Sequence, residues 1–270
     1  MSKTIFITGA STGLGRATAL LFAQKGWKVI ATMRQPENET ELSQNSQITL
    51  LPLDVTNPAQ IQEAYEKATA QGDVDVVFNN AGYGLAGPLE GISDEQIQRQ
   101  LNTNLLGVMR VTKTFVPYFR QRGTGLFITT TSIGGFIALP LNSIYHATKW
   151  ALEGWSESMA FELNKFGIGI KTVSPGGIRT DFASRSLDRG MHEAYQPFVE
   201  KVMSVFANPE RQKNWSSAEQ IAEVVYEAAT DGKDTLRYVA GNDAKAYYAQ
   251  RQQVGDENFR KAIEQMFFGN

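Results

Sequence analysis

No cysteine occurs among the 270 residues, which excludes disulfides, thiol nucleophiles and cysteine-ligated zinc or iron–sulfur centres. Histidine is almost as scarce. His146 and His192 are the whole supply, too few and too far apart to suggest a histidine-based catalytic metal, so no metal is expected. Charge of one sign is not in excess. Lys plus Arg number 26 against 28 Asp plus Glu, the net charge is −2 and the pI is about 5.8, so nothing points to nucleic acid. No apolar run reaches the length needed to cross a bilayer, so no membrane association is expected. The opening Met1-Ser2-Lys3-Thr4 lacks the apolar stretch of a signal peptide, which makes the cytoplasm the expected location. What remains is an ordinary globular composition, 42% hydrophobic and 20% charged, read as one domain over residues 1–270.

Short β-branched runs alternate with longer helical patterns. Thr4–Thr8, Val29–Thr32, Ile48–Leu53, Val74–Phe78, Leu126–Thr131 and Ile168–Ser174 read as strands. Several are apolar on both faces, as parallel strands covered on each side must be. Helical patterns lie near Gly13–Lys25, Pro58–Gln71, Asp94–Arg122, Ser143–Phe166 and Ser217–Thr230, with Ser93 placed to cap the third. The alternation predicts an α/β chain: a doubly wound parallel sheet with helices on both faces and right-handed crossovers. From Phe182 to Arg211, Tyr195, Phe198, Val199, Val202, Met203 and Phe206 fall on one helical face. This stretch, about 182–215, reads as a helix packed on the core that doubles as a lid over an apolar pocket.

The first strand runs into Thr8-Gly9-Ala10-Ser11-Thr12-Gly13-Leu14-Gly15-Arg16, which opens a helix. Glycines permit a sharp turn and a close backbone approach to a pyrophosphate, and the helix N-terminus offers free N–H groups and positive potential. Gly9-Ala10-Ser11-Thr12-Gly13 also satisfies the Gly-x-Ser-x-Gly pattern of a serine hydrolase elbow. That elbow needs a later acid and histidine, usually follows several strands, and gives Gly15 no role, so the dinucleotide reading stands ahead of it.

The Thr-Gly-x-x-x-Gly-x-Gly spacing begins a series of matches. Asp54-Val55-Thr56 follows the third strand, Asn79-Asn80-Ala81-Gly82 ends the fourth, and Asn104 lies in a later helix. Ser132 ends the fifth strand, Tyr145-His146-Ala147-Thr148-Lys149 is a Tyr-x-x-x-Lys match, and Pro175-Gly176-Gly177-Ile178-Arg179-Thr180 follows. In this order and spacing, over about residues 3–181, the chain resembles the single-domain branch of the short-chain dehydrogenase/reductase family, with a Rossmann fold. The resemblance implies nicotinamide dinucleotide binding by Gly9, Ser11, Thr12, Gly13, Leu14, Gly15, Asp54, Val55, Asn80, Ala81, Gly82, Tyr145, Lys149, Pro175, Gly176, Ile178 and Thr180. It also implies a catalytic set of Asn104, Ser132, Tyr145 and Lys149.

Reducing a carbonyl requires a proton at oxygen as hydride reaches carbon. Tyr145 and Lys149 are four residues apart and so share a helix face. The lysine's charge is expected to lower the tyrosine's pKa toward the working range. The resemblance further implies that Lys149 grips the nicotinamide ribose, that Ser132 donates to the substrate oxygen, and that Asn104 holds a water linking Lys149 to solvent. His146 is expected to pack or lie exposed on another face. His192 is expected in a solvated loop of the lid.

Cofactor choice is read where the second strand ends. An acid there binds the ribose 2′-hydroxyl of NAD, but this chain reads Thr32-Met33-Arg34 with no acid before Glu37. Thr32 or Met33 takes the acid's place, and Arg34 can hold a 2′-phosphate. NADP(H) is therefore expected, with NAD(H) as the alternative. The pocket candidates, Tyr83–Pro88, Ile133–Leu141 and the lid, are apolar, which favours an uncharged ketone, aldehyde or secondary alcohol. Two other functions share parts of the pattern: a nucleotide-sugar epimerase or dehydratase, and a non-catalytic NADP(H)-binding sensor. The helices at 94–122 and 143–166 resemble the family's subunit interface, implying a homo-oligomer, dimer or tetramer.

Overall fold

A computed structural model describes residues 2–179 and 186–269. The first half runs β1 (Thr4–Thr8), α1 (Gly13–Gln24), β2 (Lys28–Met33), β3 (Ile48–Pro52), α2 (Pro58–Ala70), β4 (Val76–Asn79), β5 (Gly84–Ala86), α3 (Asp94–Leu101) and α4 (Gly107–Arg122). The second half holds β6 (Gly125–Thr130), α5 (Ser143–Leu163), β7 (Ile168–Pro175), β8 (Ile178–Arg179), β9 (Leu187–Arg189), α6 (Gln196–Phe206), α7 (Pro209–Gln212), β10 (Ser216–Ser217), α8 (Ala218–Thr230), β11 (Arg237–Ala240), α9 (Asn242–Val254) and α10 (Asp256–Phe268). Seven strands form one sheet in the order β3-β2-β1-β4-β6-β7-β11, every pair parallel. The expected doubly wound sheet is present. The chain order reverses between β1 and β4, the switch point where ligands of such sheets bind.

Strands covered on both sides must be apolar on both sides, and they are. Ile5 and Ile7 of β1 point into a layer with Phe22 of α1 and Val225 of α8. Phe6, between them, points into the opposite layer with Phe115 and Phe119 of α4 and Leu163 of α5. A third cluster joins Ile133 and Ile137 to Val202 of α6 and to Phe259, Ile263 and Phe267 of α10. It seats the C-terminal helices against the loop that follows β6.

Strand and helix ends differ from the sequence reading by up to two or three residues, as fraying termini lead one to expect. Other differences are larger, among them the helix α10, which the sequence reading did not include. The pattern at 94–122 is not one α-helix: Ser93 and Gln96 form a capping box at its start, but Asn102–Leu106 makes a turn of π-helix between α3 and α4. Such widened turns cluster at functional sites. The edge strand β11 escaped notice because Arg237, Tyr238 and Val239 are only half buried. The helix α9 has no apolar stripe, with Ala244 its only fully buried residue. Of the proposed lid, Phe182 lies outside the described residues, and α6 covers 196–206 with Val202 alone fully buried.

Candidate active site

The loops at the carboxyl ends of β1, β4, β6 and β7 bring most of the sequence-derived residues to one edge of the sheet. After β1, Gly9 and Gly13 take φ values of +68° and +53°, a region that favours glycine. A Cβ at Gly15 would fall on the Gly9 carbonyl oxygen and 2.6 Å from Asn80 Nδ2, so close helix–strand packing demands its absence. Thr12 sits at the N-cap of α1 without a side-chain cap, which leaves first-turn N–H groups open to an anion beside Ser11 and Leu14. The turn is braced from β4. Asn80 Nδ2 donates to the Thr8 and Gly9 carbonyls (3.2 and 3.1 Å), and Asn80 and Ala81 N–H donate to Thr8 Oγ1 (2.9 and 3.0 Å).

At the end of β2, the side chains of Thr32 and Met33 are both turned into the protein. Thr32 Oγ1 donates to the Ile7 carbonyl at 3.0 Å and Met33 is buried in the core. The exposed side chain there is Arg34, which makes no ion pair within the described residues. Asp54 Oδ1 accepts from Thr56 N–H and Oγ1. Val55 packs beneath Gly107, whose missing Cβ would lie 2.8 Å from Val55 Cγ2.

Asn104 is buried on the π turn. Its Oδ1 accepts from Tyr83 N–H (3.0 Å) and its Nδ2 donates to the Tyr83 carbonyl (2.8 Å), clamping the segment that follows Gly82. The expected water therefore has to share an amide already engaged by the backbone.

Tyr145 and Lys149 lie on α5, below the end of β6. Lys149 is buried, and its Nζ donates to the Thr130 carbonyl at 2.9 Å, 5.7 Å from the Tyr145 ring centre. Burial drags the lysine's pKa from 10.5 down to about 8, against the opposing pull of the Glu153 charge. The Tyr145 hydroxyl does not behave as its spacing from lysine suggested. Dense surroundings push its pKa up, and a hydrogen bond with Ser132 only partly offsets this. Desolvation outweighs a cation that is turned toward Thr130. Part of the tyrosine remains accessible. Ser132 Oγ also accepts from Gly134 N–H at 3.0 Å, which starts the loop running to Leu141.

His146 is neither exposed nor mere packing. Nδ1 donates to the Gly134 carbonyl (2.7 Å) and Nε2 accepts from Leu139 N–H (3.3 Å), so one ring pins both ends of that loop. Burial holds its pKa below the usual histidine range. His192 stands 3.7 Å from Glu90 and accepts from Ala194 N–H. With both imidazoles so engaged, Ser11 has no histidine partner, and the hydrolase reading fails.

Pro175 ends β7, Gly176 follows it and Ile178 opens β8, while Thr180 lies outside the described residues. Asp243 of α9, missed in the sequence, accepts from Gly177 N–H at 2.7 Å and fills the space a Cβ on Gly176 would need. A cavity of about 300 Å³ opens beside these loops. Two of the three expected pocket elements line it, the loop after Ser132 through Ile133 and Leu139 and the lid stretch through Phe206, Arg211 and Trp215, while Tyr83–Pro88 does not; Tyr247 and Asp243 of α9, not expected, complete the wall.

Residues 3–189 match the family model described as short chain dehydrogenase. The human 17-beta-hydroxysteroid dehydrogenase type 1 is 33% identical over 261 residues, covering 88% of this chain and 77% of that protein. A solved short-chain dehydrogenase from Streptomyces avermitilis superposes with a TM-score of 0.82 at 30% identity, over 98% of this chain and 96% of its own. The protein ElxO, solved with NADP bound, gives a TM-score of 0.75 at 25% identity, over 93% and 100% of the two chains.

Proposed function

This chain belongs to the short-chain dehydrogenase family and is an oxidoreductase; from that premise we propose that it is an NADP(H)-dependent carbonyl reductase or alcohol dehydrogenase. Its substrate is an uncharged, largely apolar ketone or aldehyde, or the corresponding secondary alcohol. The observation that carries this reading is the pair on α5: Tyr145, half-buried, beside Lys149, which is buried with its Nζ 5.7 Å from the tyrosine ring centre and donating to the Thr130 carbonyl at the end of β6.

The residues fit a dinucleotide. The Gly9–Gly15 turn leaves first-turn N–H groups for phosphate, Asn80 and Ala81 hold that turn in shape, and Asp54 and Val55 border the adenine end. Arg34, exposed at the end of β2, receives a 2′-phosphate by parallel hydrogen bonds. The NADP carried by ElxO supports the same choice. Pro175, Gly176 and Ile178 would border the nicotinamide end.

When bound, the cofactor supplies hydride to the carbonyl carbon. Tyr145 gives its proton to the carbonyl oxygen, a role suited to a hydroxyl that burial keeps neutral at physiological pH. Ser132 donates to the same oxygen and stabilises the charge developing there. Lys149, cationic below about pH 8, stabilises the phenolate left behind and holds the ribose. Asn104 fixes the Tyr83 backbone at the pocket's edge and serves the proton path to Lys149. The apolar walls Ile133, Leu139, Phe206, Trp215 and Tyr247 take the substrate body. Reduction in the cytoplasm by a homo-oligomer completes the reading.

A panel of ketones and aldehydes, followed by loss of NADPH absorbance, tests it. NADPH-dependent turnover of apolar carbonyls is expected, with NADH the poorer reductant. No oxidation of either cofactor with any member, or a higher kcat/KM with NADH, overturns the proposal or its cofactor choice respectively.

A further inference from the structure

Beneath the Tyr145–Lys149 pair, one turn further along α5, lies Glu153, 4% exposed. A carboxylate buried this far from water needs donors on every side, and it has four. Oε1 accepts from Thr131 Oγ1 at 2.5 Å and from Ser174 Oγ at 3.0 Å. Oε2 accepts from Thr172 Oγ1 at 3.2 Å and from Arg237 Nε at 3.2 Å. The two hydroxyls on Oε1 are themselves 2.8 Å apart, which makes a closed polar cluster within an apolar core.

The donors' places in the chain give the cluster its meaning. Thr131 immediately precedes Ser132. Ser174 immediately precedes Pro175 and Gly176. Arg237 opens β11, which runs beside β7. The loop after Ser132 also lies directly on this stretch of α5: a Cβ on Gly135 would be 2.9 Å from Glu153 Cγ and 3.0 Å from the Lys149 carbonyl. One carboxylate thus ties the strand end that carries the oxygen-binding serine, the strand end that carries the nicotinamide loop, and the helix that carries the proton donor.

We propose that Glu153 is the positioning residue of this site, fixing Ser132, the Pro175-Gly176 loop and Lys149 in register with one another and setting, with Arg237, the charge balance under Tyr145. The inference rests on the oxidoreductase reading above. The charged groups facing Glu153 are Lys149 on its own helix and Arg237 from β11, and Arg237 also pairs with Glu157. The Glu153 charge helps keep Lys149 protonated despite burial. Removing it therefore makes both Lys149 and Tyr145 easier to deprotonate, whereas removing Arg237 leaves the negative charge uncompensated and has the opposite effect.

The test is a crossed pair of variants, with turnover of the wild-type chain with NADPH established first so that failure of the parent reading is seen separately. In Glu153→Gln, kcat is expected to fall on the order of tenfold or more and the pH–rate profile to move to lower pH by about one unit. In Arg237→Gln the profile is expected to move to higher pH. Glu153→Asp, which keeps the charge on a shorter arm, should lose kcat while leaving the profile in place. Tyr145 ionisation, read as the phenolate absorbance lost between each variant and the same variant carrying Tyr145→Phe, should follow the same directions without any substrate. If Glu153→Gln does not fold, Arg237→Gln and the absorbance titration decide alone. Profiles and titrations that stay at the wild-type position in both variants, or that move the same way in both, overturn the proposal and reduce Glu153 to a core stabiliser.

Discussion

At the scale of single residues, the site holds groups that stability alone would not select. Lys149 is the clearest. Its pKa falls from 10.5 to about 8 on folding, a difference worth roughly 3 kcal/mol against the charged form. The sign follows from linkage. The folded pKa is the lower of the two, so the ammonium is a burden throughout the neutral range, and stability rises as pH passes from about 8 toward 10.5. Lys149→Met removes that burden but orphans the Thr130 carbonyl, which costs about 1 kcal/mol. We expect the variant to be more stable by about 2 kcal/mol at neutral pH and to have lost turnover. Denaturant titration and assay together check this, and a less stable variant would show that the ammonium is better solvated than its burial implies. Tyr145→Phe isolates the proton transfer from the binding. Turnover should vanish while NADPH fluorescence still reports binding, and near-normal rates would remove Tyr145 from the mechanism.

At the scale of elements, the loop from Ser132 to Leu141 depends on a residue outside it, His146, which directly follows Tyr145 on α5. His146 donates from one ring nitrogen to Gly134 and accepts at the other from Leu139, an arrangement open only to neutral imidazole. Its pKa lies below 6.5 in the folded chain because burial penalises the cation. The unfolded chain therefore takes up this proton first as pH falls, and the stability His146 contributes is present above 6.5 and lost below it. Melting temperature should drop between about pH 7.5 and about pH 5.5, and His146→Gln, whose amide can donate and accept in the same two directions, should flatten that part of the curve. An unchanged slope would mean that other groups set it. Periodicity placed His146 on a different face from Tyr145, but not what that face met. The spacing in Tyr-x-x-x-Lys and the glycine turn were legible because they are local. The partners of Glu153, at Thr131, Thr172, Ser174 and Arg237, come from three strands, and nothing local marks them. The expectation that Lys149 would lower the Tyr145 pKa failed for the same reason: it counted the nearby charge and could not see the burial.

At the scale of the whole molecule, the sheet was readable up to its sixth strand because buried parallel strands leave runs such as Val76-Val77-Phe78 that helices rarely leave. The seventh, Arg237–Ala240, sits at the edge, and α9 was invisible to periodicity, yet it supplies Asp243 under the Pro175-Gly176 loop and Tyr247 in the cavity wall; α10, by contrast, carries Phe259, Ile263 and Phe267 at helical spacing and was legible though not among the expected helices. The surface carries a further signal. Leu106 on the π turn, Trp150 and Phe161 on α5, and Phe166 just beyond it are all exposed, Phe161 at 73%. They belong to the two long helical stretches whose resemblance to a subunit interface first suggested an oligomer. Large apolar side chains exposed on these helices favour a partner surface over open water, since each fully buried aromatic is worth roughly 2–3 kcal/mol. Only an isologous contact lets a second copy cover the same residues reciprocally. Sedimentation should therefore give a dimer or tetramer for the wild-type chain. Phe161→Glu should shift it toward the monomer without unfolding it, because the side chain has little to lose within its own fold. A wild-type monomer at micromolar concentration would leave those four side chains without a partner and remove the homo-oligomer from the functional reading.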